Sequence, residues 1–334
     1  MKKILIIYTG GTIGMHTDHK GVLRPFDFGK INDQVPELKK LDAVIHHYAF
    51  EELIDSSNVQ PNFWIELATL IEKKYSQYDG FVILHGTDTM AYSASALSFM
   101  LDNLGKPVIF TGSQLPLGAI RTDAKRNLIT AIELAATNEV LPEVCIYFSS
   151  QLFRGNRVEK FTSSQFDAFQ SLNYPMLAET GVDIQFNNLS ILPAPKKKLK
   201  VHKQLNPHIG LIRIFPGITG QWMNNVLSTQ GLKAVVLETY GSGNAPTDKW
   251  FIQALQTAIE KGIVILNVSQ CSGGKVEQGK YETSYQLKKI GVISGADITT
   301  EAALTKLMFL FGQNFDRKKI EKLLQQSLRG EQTL

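Results

Sequence analysis

The sequence predicts an α/β protein of two domains, a larger first one on a mostly parallel sheet flanked by helices and a smaller α/β second one. Three observations predict this. Short apolar runs alternate with helix-length periodic segments, the pattern of strand and crossover helix that builds a parallel sheet. A chain of 334 residues has room for about two domains at roughly 100 to 200 residues each. The stretch ILPAPKKKLKVHKQLNPH, from Ile191 to His208, has prolines at 193, 195 and 207, five lysines and no helical stripe, so it reads as a linker. Domains are therefore expected at residues 1–190 and 209–334, joined by 191–208.

Taken in order, Ile4 to Tyr8 is the first strand. Residues Pro61 to Tyr75 place Trp64, Leu67, Ala68 and Ile71 at helical spacing, and Gly80 separates that helix from the strand Phe81 to Leu84. Thr89 to Leu104 reads as a helix closed by Gly105. Pro107 precedes the strand Val108 to Phe110, and Thr122 to Thr137 is a helix with Leu128, Ile132 and Ala135 on one face. Val144 to Phe148 continues the series. Beyond the linker come strands Gly210 to Phe215 and Ala234 to Leu237, the helix Asp248 to Lys261 and the strand Ile263 to Val268. Helices Thr300 to Phe311 and Arg317 to Leu328 close the chain and cover one face of the second sheet.

Composition excludes several classes. Hydrophobic residues at 43% and charged residues at 20% describe an ordinary globular chain rather than a disordered or fibrous one. Thirty-five Lys plus Arg against 31 Asp plus Glu leave a net charge of +4, too mild to point to nucleic acid or a membrane. The lysine cluster at 196–203 has no interleaved aromatics and reads as a solvated face. Two cysteines, Cys145 and Cys271, support neither a disulfide framework nor a thiolate metal site, which fits a reducing compartment. The opening MKKILIIYTGG has too short an apolar run for a signal peptide, and no run approaches the 18 apolar residues that span a bilayer. A cytoplasmic enzyme or binding protein is expected.

In an open parallel sheet ligands sit beyond the carboxyl ends of the strands. Here those ends share a composition: Thr9-Gly10-Gly11-Thr12, His85-Gly86-Thr87-Asp88-Thr89 and Thr111-Gly112-Ser113-Gln114. Glycines let backbone amides approach a ligand, and hydroxyls supply nucleophiles or donors. Phosphate binding is disfavoured, because Gly10 to Gly14 lacks the dinucleotide spacing and Gly274-Lys275 is followed by Val276 where a P-loop needs Ser or Thr. Metal binding is disfavoured too, since the adjacent His46 and His47 would face opposite ways on a strand. No G-x-S-x-G elbow occurs, so a nucleophile is Thr12 or Thr87. A threonine hydroxyl needs a base, which a desolvated lysine held by a carboxylate can provide. Asp88 is beside Thr87; Lys160 is a candidate lysine that composition alone reads as a surface residue.

At these residues the chain resembles the bacterial-type L-asparaginase and glutaminase-asparaginase family, closest to its cytoplasmic type I branch. Tyr8 to Gly14 is similar to the family's first signature and His85 to Met90 to its second, in order and at the expected separation. Asp55-Ser56-Ser57, Gly112 to Pro116, Arg154 to Arg157, Tyr240 to Pro246 and Gly295-Ala296-Asp297 extend the resemblance over nearly the whole chain. It implies the two-domain asparaginase-like fold and hydrolysis of L-asparagine to L-aspartate and ammonia, with glutamine a weaker substrate and no cofactor or metal. It also implies Thr12 as nucleophile, with Thr87, Asp88 and Lys160 opposite it. Ser56 matches the residue holding the substrate α-carboxylate, with Ser57, Gly86 and Ser113 also at the substrate, while Asp88 faces the α-ammonium.

The chain departs from the secreted branch of the family, whose catalytic tyrosine lies after the first threonine; Met15 to Phe28 contains none. Tyr281 is the replacement candidate, and a glutamate used by the secreted branch aligns near Thr283. Family members place the active site between subunits, so a homodimer or homotetramer is implied. Some type I members bind asparagine at a second, regulatory site; Glu159 and Glu238 stand where small polar or basic residues would suit its carboxylate, so weak or absent regulation is expected. Two alternatives are the amidase component of a tRNA-dependent amidotransferase, ranked low because Met1 stands three residues before the first strand, and a non-catalytic amino-acid-binding module.

Overall fold

A computed structural model describes residues 1–17, 23–25, 31–279 and 282–333. They divide into two compact units, Met1–Lys203 and Gln204–Leu334. In the first, eight strands form one sheet: β1 (Lys2–Tyr8), β2 (Ala43–Ala49), β3 (Gly80–Leu84), β4 (Val108–Thr111), β5 (Val144–Phe148), β6 (Gln151–Arg154), β7 (Ala178–Thr180) and β8 (Ile184–Phe186). Their order is β8-β7-β6-β5-β4-β3-β1-β2. The strands from β2 to β5 across the sheet are parallel, and β6, β7 and β8 join antiparallel. The sheet is thus mostly parallel, as the alternation predicts. The change of direction occurs at Ser149 and Ser150, both with positive φ, the two-residue turn whose twist matches an antiparallel pair.

Register decides where chemistry can gather. Tyr8 pairs with Leu84 and Leu84 with Thr111, so β1, β3 and β4 end level and their following loops leave the sheet side by side. The central runs Ile4 to Tyr8, Phe81 to Leu84 and Val144 to Phe148 are buried and apolar because both faces of the sheet are covered there. Ile4, Ile6, Tyr8, Val82, Leu84 and Ile109 pack with Leu128, Ala131 and Ile132 of α3 (Ala124–Ala135), each Ile, Leu or Val side chain contributing about 1.5–3 kcal/mol by burial. Before it come α1 (Pro61–Lys74), which opens on Pro61 in the first turn and buries Phe63, Trp64, Leu67, Ala68 and Ile71, and α2 (Met90–Met100). Helix α2 ends four residues before the predicted Leu104, because Leu101 and Asp102 pair with Val201 and Lys200 and Asn103 turns left-handed. Part of the proline- and lysine-rich stretch is therefore a strand of the first unit.

The second unit carries a parallel sheet in the order β9-β10-β11-β12, from Ile209–Arg213, Ala234–Thr239, Val264–Ser269 and Ile293–Ser294. On one face Ile212, Ile214, Val235, Leu237 and Ile265 pack with buried residues of α4 (Gly220–Leu227) and α5 (Lys249–Glu260) and with Leu287 of α6 (Glu282–Lys289). On this sheet α7 (Thr300–Gly312) packs against β9, β10 and β11, and α8 (Arg317–Leu324) packs on α7. Helix α8 stops before the predicted Leu328, since the carbonyls of Leu324 and Gln326 turn to the ammonium of Lys306. Among the described residues no helix is long and apolar enough to cross a membrane.

Candidate active site

The three level strand ends pack backbone against backbone. Thr9 locks β1 to β3 by giving both its amide and its hydroxyl to the carbonyl of Leu84, at 3.1 and 2.8 Å. Gly10 and Gly11 follow with φ of 128° and 84°, a region that favours glycine. A methyl group on Gly11 would stand 2.5 Å from the amide nitrogen of Gly86, and one on Gly86 would stand 2.5 Å from Oγ of Ser56. The Gly11 and Gly86 turns nest without a side chain between them and the Ser56 side chain packs on Gly86, with Thr12 and Thr87 on adjoining turns next to the Gly11–Gly86 contact. Thr12 opens a single 3-10 turn, Thr12–Gly14, and is half-buried. Beneath it the Tyr8 hydroxyl donates to the carbonyl of Gly14 at 2.8 Å; burial pushes this phenol up to about 12, so it stays a neutral donor.

Lys160 joins this cradle from far along the chain. It lies in a two-residue strand, Glu159–Lys160, paired with Phe169–Gln170, and its Nζ donates to Thr87 Oγ1 and Asp88 Oδ1 at 2.7 Å each. The lysine side chain is 17% exposed and the Asp88 side chain 64%, so the ammonium is half enclosed while the carboxylate faces solvent. Thr89 donates to the carbonyl of Ser56 at 2.7 Å, tying the 3-10 turn Ser56–Asn58 to the loop after β3. Ser56 is buried. Ser57 gives its amide and hydroxyl to Asp55, at 2.9 and 2.7 Å, which holds that carboxyl below the usual range and leaves the Ser57 proton committed. Ser113, also buried, donates to the carbonyl of Leu115 at 2.6 Å.

Two residues that sequence reasoning missed fix the third loop. Asp123 accepts from the amides of Gln114 and Leu115, and Asn127 donates to the carbonyl of Gly112 at 3.0 Å. The available signal was an aspartate at the start of α3, which reads as an ordinary helix cap.

His85 fixes the second loop through a chain of hydrogen bonds whose direction is forced at both ends. Trp64 Nε1 can only donate, and does so to Ser93 Oγ at 2.9 Å; the carbonyl of Gly86 can only accept, and bonds His85 Nδ1 at 2.7 Å. The ring therefore carries its proton on Nδ1, and Ser93 donates to Nε2 at 3.0 Å. Burial pushes His85 down from an ordinary 6.5 to about 4. The unfolded chain thus takes up a proton between pH 6.5 and 4 that the folded chain refuses. Stability from the neutral ring is whole above about pH 6.5 and lost as pH falls toward 4, amounting to about 3 kcal/mol. We expect the urea midpoint to fall more between pH 7 and 4.5 in the wild type than in His85→Gln; equal falls would remove His85 from that account.

A family model described as asparaginase, N-terminal, matches residues 3–191, and a glutaminase/asparaginase C-terminal domain model matches residues 208–324. The chain belongs to the asparaginase family. It is 47% identical over 338 residues to L-asparaginase 1 of Escherichia coli (strain K12), covering 99% of this chain and 98% of that one. Among solved structures it is similar to L-asparaginase I from Vibrio cholerae O1, with a TM-score of 0.92 at 42% identity, covering 100% of this chain and 99% of that chain. The thermostable L-asparaginase from Thermococcus kodakarensis gives a TM-score of 0.92 at 31% identity, with 99% of each chain covered.

Within this asparaginase cradle the structure thus brings Gly86, Ser56, Thr87, Asp88 and Lys160 into one connected set, with Thr12 on the turn beside it. Ser113 lies two residues beyond the end of the level strand β4. Tyr281 lies outside the described residues. Among the described residues no group of three His, Cys, Asp or Glu could hold a metal ion. What the asparaginase set can do is present a hydroxyl, an ammonium and a carboxylate together over backbone amides, the parts of nucleophilic attack on a carbonyl.

Proposed function

We propose that this chain hydrolyses the side-chain amide of L-asparagine to L-aspartate and ammonia, with glutamine a weaker substrate. The observation that carries the reading is the Lys160 ammonium shared at 2.7 Å between Thr87 and Asp88 in a chain 47% identical to an L-asparaginase 1. Thr12 Oγ1 attacks the amide carbon, its proton passing to the leaving nitrogen, so that a C–O bond forms as the C–N bond breaks and ammonia departs. Water then cleaves the aspartyl ester and restores the hydroxyl. Thr87 and Lys160 hold and pass the protons of both steps, and amides of the glycine turns stabilise the oxyanion. Tyr281 assists Thr12. Asp88, exposed beside the ammonium, takes the substrate α-ammonium, Ser56 takes its α-carboxylate, and Ser57, Gly86 and Ser113 also border the substrate.

Ammonia release by the purified protein with L-asparagine, L-glutamine and D-asparagine tests this. Turnover greatest with L-asparagine is expected. Binding of L-asparagine without release would instead establish an amino-acid-binding module.

We place the enzyme in the cytoplasm as a homodimer or homotetramer, and sedimentation of active monomers would count against that assembly. Regulation by asparagine is expected to be weak or absent. Glu238 is buried at the end of β10, accepts from Thr300 Oγ1 at 2.6 Å and pairs with Arg213 at 3.4 Å; Glu159 accepts from Gln170 at 3.0 Å. Both carboxylates repel a second α-carboxylate. The rate should rise hyperbolically with L-asparagine, and a clearly sigmoidal curve would refute this.

A further inference from the structure

In the second unit the mechanism leaves unused an ion pair that water does not reach. Lys306 of α7 and Glu331 are both 0% exposed, with Nζ 2.6 Å from Oε1. The same ammonium bonds the carbonyls of Gln326 at 2.7 Å and Leu324 at 3.3 Å and Gln332 Oε1 at 3.4 Å. Glu331 in turn accepts from the amides of Leu328 and Arg329, at 2.9 and 2.6 Å. A buried ammonium needs such a set of oxygens, and here every one of these belongs to residues 324–332. Lys306 thus clips the segment onto α7.

The clip reaches the carboxyl edge of the small sheet. Beyond Glu331, the amide of Thr333 donates to Asp297 Oδ1 at 2.7 Å. Asp297 follows Ala296, a non-glycine residue in left-handed backbone, φ 53°, a conformation that persists only where its surroundings impose it. The carbonyl of Ala296 accepts from the amide of Val276 at 2.8 Å, and Ser294 Oγ donates to the carbonyl of Val276 at 3.0 Å. The next amide, of Glu277, bonds the carbonyl of Ser242, and that of Gly279 bonds Ser284 Oγ. An unbroken path therefore runs from Lys306 through Glu331, Thr333, Asp297 and Ala296 to the loop 276–279.

We propose that the segment 325–333, clipped onto Lys306, braces the loop 276–279 in the position that turnover requires, which makes Glu331 and Asp297 positioning residues. This rests on the reading of Tyr281, two residues beyond Gly279, as a participant in the reaction. Glu331→Gln keeps the shape of the clip and removes its charge; Thr333→Pro removes the amide donor to Asp297 and carries the test should the first variant not fold. Both are expected to lower kcat about five- to tenfold with KM changed less than about twofold, and to speed tryptic cleavage after the exposed Lys275, at unchanged far-UV circular dichroism. In a Tyr281→Phe background they should cost no further kcat. Wild-type cleavage at Lys275, an unchanged kcat, or losses that multiply with Tyr281→Phe would each overturn the brace. A wild-type kcat in Tyr281→Phe alone would overturn the reading of that tyrosine, and the brace would then be decided by Lys275 cleavage and the kcat of Thr333→Pro.

Discussion

Ammonia release from L-asparagine should fall about a thousandfold or more in Thr12→Ala and likewise in Thr87→Ala, with both proteins folded and assembled. Each change removes a hydroxyl from a turn held by backbone contacts, so the fold has little to lose at either position. In Thr87→Ala the ammonium of Lys160 keeps Asp88 as a partner but loses the oxygen 2.7 Å away on its other side. Acid quenching during turnover separates the two roles. The aspartyl ester should be trapped on Thr12 in the wild type and be absent from Thr12→Ala. Thr87→Ser, which keeps the hydroxyl, should recover most of the rate. More than about a tenth of wild-type turnover in either alanine variant would take that threonine out of the chemistry.

The second large effect is on stability. Glu143→Ala should cost about 3–5 kcal/mol, a large part of the roughly 5–15 kcal/mol that holds a folded domain together. Glu143 and Arg154 are both buried, and the carboxylate accepts from Arg154 Nε and Nη2 at 2.5 and 3.0 Å and from the amide of Leu192. Removing the carboxylate strands a guanidinium that is stacked 4.3 Å from the ring of Tyr174 and cannot discharge itself. Urea unfolding measures the loss. The double variant Glu143→Leu with Arg154→Met should be far more stable than Glu143→Ala, because an apolar pair leaves no buried charge unmatched. Equal stability of the two would show that the site admits water and that the pair is not truly enclosed. Arg154 ends β6, six residues before Lys160, so kcat should fall along with stability in the single variant.

Much of the fold was legible because buried parallel strands must be apolar throughout: Ile4 to Tyr8, Phe81 to Leu84 and Val144 to Phe148 stand out from their neighbours. Strand β2 did not, since AVIHHYA lies at a sheet edge and exposes His46, His47 and Tyr48. The adjacency of Thr87 and Asp88, and the glycines around them, followed from asking what stands at carboxyl ends of strands. Lys160 did not follow. A two-residue strand has no periodicity to read, and its partners lie 72 and 73 residues away in the sequence, so only the resemblance to a family singled it out. His85 reads as part of a loop, and the Trp64 and Ser93 that set its proton belong to helices whose pattern announces only packing.

The contacts of Gly11 on Gly86 and of Gly86 on Ser56 also bear on how such an enzyme can change over generations. Gly11 meets Gly86 through main chain alone, and any side chain larger than hydrogen on Gly86 would strike the Ser56 hydroxyl, so drift at these two glycines is closed off. Adaptation to a different amide must therefore enter through side chains outside these glycine contacts, where a new group alters what is welcomed while the main-chain frame stays as it was.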